Sequence, residues 1–164
     1  MKKAIITAIL LIAAVTGLII ADNKTEDGLI NEIKYTIMPD PMANNRYDEG
    51  QCTHYIFEEV KADGNMIESD WSDAKYWSEK AEEDGYTVNS EPAEGAILQT
   101  EQGKLGHVAY IESVNDDGSI EISEMNLVEA YEITERTIKA EDIAQYDYIH
   151  PQENPYDKRE DEAQ

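Results

Sequence analysis

Cysteine is the scarcest chemically reactive residue in this sequence, since Cys52 is the only one among 164 residues. A single thiol excludes an intramolecular disulfide framework. It leaves two interpretations of Cys52, as a small buried apolar side chain or as a reactive nucleophile. Composition alone favours the buried side chain, so any case for a nucleophile must come from the surroundings of the residue.

Recognisable metal-ligand motifs are also lacking. The three histidines are far apart and form no HExxH motif, so they do not give the spacing of a zinc site. The acidic clusters that contain glycine lack the alternating ligands of a helical calcium loop and are typical of turns. The histidines are His54, His107 and His150, and the clusters are Asp63-Gly64, Asp84-Gly85 and Asp116-Asp117-Gly118. We therefore predict no metal and no cofactor.

Basic residues are few, with 13 lysines and arginines against 36 acidic residues and a formal net charge of −23. A chain this acidic is repelled by phosphate groups, which excludes nucleic acid and an anionic membrane surface as partners. We interpret the excess of carboxylates as a solvated surface.

The N-terminus has the pattern of an export signal. Lys2 and Lys3 precede an uncharged, mostly apolar run from Ala4 to Ala21. As a helix, this run would be about 27 Å long, close to the hydrocarbon thickness of a bilayer. Residues 1–21 are therefore predicted to be a signal peptide or a membrane anchor. The remainder is predicted to be extracytoplasmic, either secreted to the cell wall or tethered to the membrane by residues 4–21.

Export changes the interpretation of Cys52. An oxidising compartment favours paired cysteines or none, so a single unpaired thiol is unusual there. A catalytic thiol explains the odd count.

The remaining chain divides into a linker (22–43), a folded domain (44–150) and a disordered acidic tail (151–164). Apolar spacing predicts a helix from Cys52 to about Val60. A second helix, capped by Ser69 or Asp70, is predicted to end near Asp84. Its apolar stripe is most simply core packing and consists of Trp71, Ala74, Trp77 and Ala81.

Short apolar runs separated by turns replace the helical pattern from Tyr86 onward. The predicted strands are Tyr86-Thr87-Val88, Ala96-Ile97-Leu98, His107 to Val114, Ile120 to Met125, Ala130 to Ile138 and Tyr146 to Ile149. A turn at 115–118 joins the third and fourth strands as a hairpin. Helices followed by an antiparallel sheet predict an α+β domain.

Three parts of a thiol-dependent site are spread along this domain. Cys52 begins the first helix, where unpaired amides and the helix dipole stabilise a thiolate. His107 begins a strand, and the next strand, across a tight hairpin, places Glu124 or Asn126 beside the imidazole. Either side chain can orient one ring nitrogen and leave the other for the thiol. A thiol at a helix start with a histidine on a strand is the arrangement of a papain-like hydrolase.

Several motifs in the same order resemble the CHAP domain, the cysteine, histidine-dependent amidohydrolase/peptidase family. These motifs are Tyr47, Gly50-Gln51-Cys52-Thr53, Tyr55, the Trp71 and Trp77 helix, Gly95-Ala96-Ile97, Gly106-His107-Val108-Ala109 and Ser123-Glu124-Met125-Asn126. The resemblance covers about residues 44–150. It implies a papain-like fold, with N-terminal helices packed on a C-terminal antiparallel β-sheet, and hydrolysis of amide bonds in bacterial peptidoglycan.

The resemblance also implies roles for particular residues. Cys52 is the expected nucleophile, His107 the base, Glu124 the third member of the site and Asn126 a fourth. The Gln51 side chain and the Cys52 amide are candidate donors to an oxyanion hole. His54 departs from the family, which usually has tryptophan or tyrosine there, and we interpret it as a change in the lining of the cleft.

The leading hypothesis is an exported peptidoglycan hydrolase, an amidase or an endopeptidase, that remodels the wall locally. Its small size and the lack of a wall-binding repeat suggest an envelope machine, such as a secretion or conjugation apparatus, as a partner. One alternative is a non-catalytic wall-binding or scaffold protein of such an apparatus. Another is a peptidase that acts on protein.

Overall fold

The computed structural model describes residues 39–156. The predicted export segment 1–21 and residues 22–38 of the predicted linker lie outside the described residues. The chain divides into two units, residues 1–40 and 41–164, and the following account concerns the second. Within residues 39–156 no helix combines the length and the apolar character needed to cross a membrane.

The first helix, α1, spans Cys52–Ala62 and begins at the predicted residue. Its apolar positions recur at helical spacing, so they form one buried face, which includes Ile56, Phe57 and Val60. This face packs against two strands of the sheet, β4 (His107–Val114) and β5 (Ile120–Met125). The sheet therefore fixes where the N-terminus of α1 points.

The second predicted helix begins later than the sequence indicates. Neither Ser69 nor Asp70 caps it, and the first helical residues are a 3₁₀ turn at Ala74–Tyr76, which continues into α2 at Trp77–Glu83. Ser72 has φ of 66°, a left-handed conformation that interrupts any helix begun upstream. The helix prediction was wrong at this end because the side-chain spacing carries no signal of that backbone reversal.

The tryptophans nevertheless form part of the core, as their spacing predicts. Trp71 and Trp77 are almost completely buried, and their rings meet edge to face at 5.4 Å. Tyr86 packs against Trp71 at 5.2 Å, and Tyr47 packs against Trp77 at 5.1 Å. This aromatic cluster holds the segment before α2 in place without a continuous helix.

The main sheet is antiparallel and has six strands among the described residues. In chain order, these strands are β2 (Thr87–Asn89), β3 (Ile97–Thr100), β4 (His107–Val114), β5 (Ile120–Met125), β6 (Ile133–Ile138) and β7 (Asp147–His150). Their order across the sheet is β2-β7-β3-β4-β5-β6. The predicted strands β4 and β5 have the predicted bounds, whereas β6 begins three residues after Ala130 because Tyr131 is left-handed, with φ of 69°.

The two faces of the sheet are covered by different elements. On one face, Tyr55 of α1 donates a hydrogen bond to Ser123 of β5. The opposite face carries an apolar cluster against which Ile143 and Tyr146 pack, in and just after a 3₁₀ helix at Ala140–Gln145. The cluster consists of Ala96, Leu98, Ala109, Ile111, Ile120, Ile122, Ile138 and Tyr148.

A second, two-stranded sheet joins the segment after α1 to the segment after β7. It pairs β1 (Asn65–Met66) with β8 (Gln152–Glu153), and the Asn154 amide donates to the Gly64 carbonyl at 2.9 Å. Strand β8 lies in the segment for which the sequence predicts disorder, whose last residues, 157–164, lie outside the described ones. At the other end, Met42 of the predicted linker is completely buried. The folded unit therefore extends beyond residues 44–150 in both directions.

Candidate active site

The cysteine lies where the sequence places it, at the first residue of α1. Gln51 precedes it in an extended conformation as the N-cap, and Cys52 is 8% exposed. Gly50 makes the turn into the helix with φ of 80°, and a Cβ there would lie 2.7 Å from the Tyr131 ring. The thiol therefore sits among the unpaired amides of a helix start, behind a turn that only glycine fits.

His107 and Glu124 meet at one end of the sheet. His107 is the first residue of β4, and Glu124 lies near the end of the neighbouring strand β5. Their Nε2 and Oε2 atoms are 2.8 Å apart, and the carboxylate is completely buried. Since an ionised carboxylate only accepts, Nε2 carries the hydrogen. Nδ1 is therefore the nitrogen left for Cys52, which lines the same cleft as His107.

Arg136 completes this cluster and was not predicted from the sequence. Its Nε donates to Glu124 Oε1 at 2.5 Å, and its Nη2 donates to Oε2 at 3.3 Å. Arg136 pairs with Ile122 in the register of β5 and β6, which places it on the same sheet face as Glu124. The sequence does contain a signal for this side chain. Arg136 lies two residues before the apolar Ile138 in β6, so the two side chains point to the same face, and Ile138 is buried.

The charges of this cluster stabilise one another. Burial lowers the pKa of His107, but the neighbouring Cys52 and Glu124 side chains raise it, with a net result of about 9. Burial raises the pKa of Glu124, yet the hydrogen bonds from His107 and Arg136 outweigh it, so the pKa of this carboxyl is lowered. The geometry thus favours an imidazolium held between a thiol and an ionised carboxylate.

Asn126 is not the partner of the imidazole. Its Nδ2 donates to Gln51 Oε1 at 2.8 Å, and its own backbone amide is fixed by the Glu132 carbonyl at 3.0 Å. The sequence leaves Glu124 and Asn126 as alternatives for the position beside His107, and the structure places Glu124 there. Asn126 instead orients the side chain next to the cysteine.

Two cavities meet at His107. The larger, of about 510 Å³, is an open cleft beside Cys52, and the smaller, of about 350 Å³, lies beside Arg136; His107 is the one residue that lines both. The cleft is lined by Arg46, Tyr47, Asp48, Gln51, Cys52, Thr53, Ser72, Asp73, Ala74, Leu105, Gly106, His107 and Asn126. His54 is not among them, so its interpretation as a change in the cleft lining was wrong.

Metal-ligand clusters are not found within residues 39–156, where no group of three histidine, cysteine or acidic side chains could hold an ion.

Known proteins share this arrangement of sequence and fold. The sequence of residues 42–126 matches the CHAP domain. A staphylococcal secretory antigen SsaA of Staphylococcus epidermidis is 52% identical over 109 residues, which are 66% of this chain and 41% of that protein. A probable autolysin SsaALP of Staphylococcus aureus is 50% identical over 107 residues, 65% of this chain and 40% of that protein.

A solved structure, an N-acetylmuramoyl-L-alanine amidase from Staphylococcus aureus, superposes with a TM-score of 0.61 and 35% identity. The match covers 66% of this chain and 34% of that one. It confirms the predicted papain-like α+β fold, with helices packed on an antiparallel sheet. The chain spans about two fifths of the length of the curated relatives described above. With its family sequence match and this shared fold, the chain belongs to the CHAP domain family.

Proposed function

We propose that the folded domain hydrolyses an amide bond of bacterial peptidoglycan, with Cys52 as the nucleophile and His107 as the acid and base. The observation that carries the proposal is the imidazole contact. The His107 ring lines the same cleft as Cys52, and its Nε2 lies 2.8 Å from the buried carboxylate of Glu124. A buried cysteine with only a structural role does not require this arrangement.

The first half of the reaction forms an acyl-enzyme. The Cys52 sulfur attacks the carbonyl carbon of the amide and forms a C–S bond, so the carbonyl oxygen becomes negatively charged. His107 then donates its proton to the amine nitrogen as the C–N bond breaks. Glu124 keeps the ring oriented and stabilises its positive charge until that transfer.

The oxyanion needs donors that are already in place. The Cys52 backbone amide lies in the first turn of α1, where helical amides have no partner within the helix. The Gln51 side chain accepts from Asn126 through its oxygen at 2.8 Å, which leaves its NH2 group available to donate. We assign these two groups to the oxyanion hole.

The second half of the reaction releases the acid. Water attacks the thioester carbon while His107 accepts its proton, and collapse of the intermediate breaks the C–S bond. The sulfur leaves as a thiolate, and the proton that water lost stays on His107, so the thiolate and imidazolium pair is restored.

Peptidoglycan is the proposed substrate because of the relatives. One is described as a probable autolysin, and the solved structure is described as an N-acetylmuramoyl-L-alanine amidase. These descriptions favour an amidase, which cuts between muramic acid and L-alanine, over an endopeptidase. The cleft is open enough, at about 510 Å³, to admit an extended stem peptide.

We also propose that the domain acts outside the cytoplasm, after export directed by residues 1–21. The relatives described as secretory antigens support this location. We propose that the folded domain comprises residues 44–150 together with flanking residues on both sides. Sequencing the N-terminus of the mature protein tests whether residues 1–21 are removed, and a protein retained in the cytoplasm would contradict the proposed location.

Purified peptidoglycan provides the direct test. We expect the full-length chain to release soluble fragments, whose masses and new termini identify the bond. Cys52→Ala and His107→Ala should abolish release while they retain the circular dichroism spectrum of the wild type. His150→Ala is a matched control, because His150 is bonded to Asn89 at 3.0 Å, away from the lining of the cleft. Turnover by either site variant would contradict the assignment.

The same assay distinguishes the alternatives. A non-catalytic wall-binding protein would bind peptidoglycan and release nothing, and Cys52→Ala would leave this binding unchanged. A peptidase of protein substrates would cleave a denatured protein while leaving peptidoglycan intact. Either result would replace the proposed function.

A further inference from the structure

The Glu124 carboxylate is contacted by two basic side chains. It is completely buried, and His107 and Arg136 bind it from different sides. Isolating a carboxylate from water is costly, so a buried one needs hydrogen bonds and charge to remain ionised. Neither the family resemblance nor the sequence pattern assigns a role to Arg136.

From this geometry, and on the basis of the function proposed above, we infer that Arg136 is a positioning residue for the reaction. It fixes the plane of the Glu124 carboxylate so that Oε2 faces His107 Nε2, and the imidazole is thereby aimed at the thiol. Arg136 does not itself contact the reacting atoms.

The contact distances support this role. Arg136 binds Oε1 through Nε at 2.5 Å and Oε2 through Nη2 at 3.3 Å, so two separate nitrogens hold the two oxygens. A planar fork restrains rotation of a carboxylate, which the point charge of a lysine cannot do. The chain of contacts therefore runs from Arg136 through Glu124 to His107.

The position of Arg136 separates this role from substrate binding. Arg136 lines the cavity of about 350 Å³ but not the cleft that contains Cys52. A peptide in the cleft is therefore kept from Arg136 by His107. Loss of Arg136 should lower kcat and leave KM unchanged.

Arg136→Met tests the inference, because methionine keeps much of the side-chain length and removes the fork. We expect kcat on peptidoglycan fragments to fall about 10- to 100-fold, the size of effect that a small misplacement of a catalytic group produces. KM should stay within about twofold of the wild-type value, because Arg136 lies outside the cleft. Lys139→Gln is the matched control, since it removes a positive charge from an exposed pair with Glu141 at 3.7 Å and should leave both constants unchanged. A raised KM with unchanged kcat would overturn the inference.

A double variant shows whether Arg136 acts through Glu124. If it does, Arg136→Met should reduce kcat little or not at all in a Glu124→Gln background, because the carboxylate that it orients is already absent. The same fold reduction in both backgrounds would instead indicate an independent role and overturn the inference.

Proton NMR gives a readout that needs no turnover. The His107 Nε2 hydrogen, bonded to a buried carboxylate, should resonate far downfield, and its absence in Glu124→Gln assigns the signal. We expect the signal to be lost in Arg136→Met and retained in Lys139→Gln. If the wild type shows this signal but no hydrolysis, the proposed function fails while the positioning contact stands. Full retention in Arg136→Met would overturn the inference.

Arg136→Lys covers the case in which Arg136→Met does not fold. Lysine keeps the charge that compensates Glu124 and loses the two-point geometry. We expect a folded protein, by circular dichroism, with a kcat between those of the wild type and Glu124→Gln. A kcat equal to that of the wild type would show that charge alone suffices and would overturn the inference.

Discussion

Gln51 precedes the helix that begins with the cysteine and also makes a side-chain contact with Asn126. It is the N-cap of α1, and its side-chain oxygen accepts from Asn126 at 2.8 Å. It makes no side-chain capping bond to α1, so the helix does not depend on it. Its contribution to the proposed chemistry can therefore be separated from its contribution to stability.

Gln51→Ala should lower kcat about 100- to 1000-fold, equivalent to roughly 2.7 to 4 kcal/mol, because one donor to the oxyanion is removed. Steady-state hydrolysis of peptidoglycan fragments measures the change. The midpoint of urea unfolding should remain close to that of the wild type. Activity within a factor of two of the wild type would remove Gln51 from the oxyanion hole.

The raised pKa of His107 links the site to stability. The pKa is about 9 in the folded chain and 6.5 for an unperturbed imidazole. The protonated ring therefore stabilises the fold fully below about pH 6.5, and this contribution is lost as the pH rises through about 9. In the proposed mechanism, the imidazolium of His107 loses its proton as the pH rises through about 9.

We expect the free energy of unfolding of the wild type, relative to that of His107→Gln, to decrease between about pH 6.5 and pH 9, because the folded state binds a proton that the unfolded state has released. Urea unfolding at several pH values in this range measures the difference. His150→Gln should follow the wild type. A constant difference between wild type and His107→Gln would show that His107 has no raised pKa.

At the scale of elements, the loop between β3 and β4 sets the start of the His107 strand. The Lys75 amide donates to the Leu105 carbonyl at 2.9 Å, so the loop is bonded to the 3₁₀ turn. Gly106 follows with φ of 74°, and a Cβ there would lie 2.4 Å from the Lys75 nitrogen. Only glycine permits this close approach of two backbones.

Gly106→Ala should destabilise the fold by more than the roughly 1 to 2 kcal/mol of a left-handed alanine, because the Cβ also overlaps backbone atoms. Gly103→Ala is the matched control, since Gly103 has φ of 87° and open space around its Cβ position. Thermal unfolding measures both. Hydrolysis should fall for Gly106→Ala, whose strand carries His107. Equal destabilisation by the two variants would contradict the packing argument.

The elements with periodic burial were predictable from the sequence. The α1 start at Cys52 follows from apolar spacing, because the helix buries one face. The strands β4 and β5 follow from short apolar runs bounded by turns, although both strands are covered on two faces. Glu124 follows Ile120 and Ile122 on one side of β5, which placed it near His107. The local pattern therefore carried much of the candidate site.

Backbone reversals and contacts across strands were not predictable from that pattern. Ser72 and Tyr131 have φ of 66° and 69°, and neither serine nor tyrosine is a residue type from which a left-handed conformation is predicted. The Arg136 contact with Glu124 depends on the register of β5 and β6, which apolar spacing does not specify because the geometry of the connecting turn also sets it. The positive φ of Asn126, 62°, was likewise not predictable, so the sequence could not decide whether Glu124 or Asn126 contacts His107.

At the scale of the molecule, the β1 and β8 pair closes the folded unit. Asn154 is 2% exposed, and its amide bonds the Gly64 carbonyl at 2.9 Å. The segment after β7 therefore shields the turn that follows α1 rather than leaving the domain.

Removal of residues 151–164 should lower the melting temperature, because β1 loses its partner strand and the Gly64 carbonyl loses its donor. A shorter truncation, of residues 157–164, should have a much smaller effect, since it leaves β8 and Asn154 in place. Differential scanning calorimetry of both truncations measures the contrast. Equal melting temperatures for the two truncated chains would show that β8 contributes nothing to the fold.

The strand order has a consequence for self-association. Among the described residues, β2 and β6 are the outermost strands of the six-stranded sheet, so each has one side with backbone groups open to another chain. β2 is only three residues long, and β6 carries Glu135, Arg136 and Thr137 along its length. The short length of β2 and the charged Glu135 on β6 both oppose the addition of a strand from another chain.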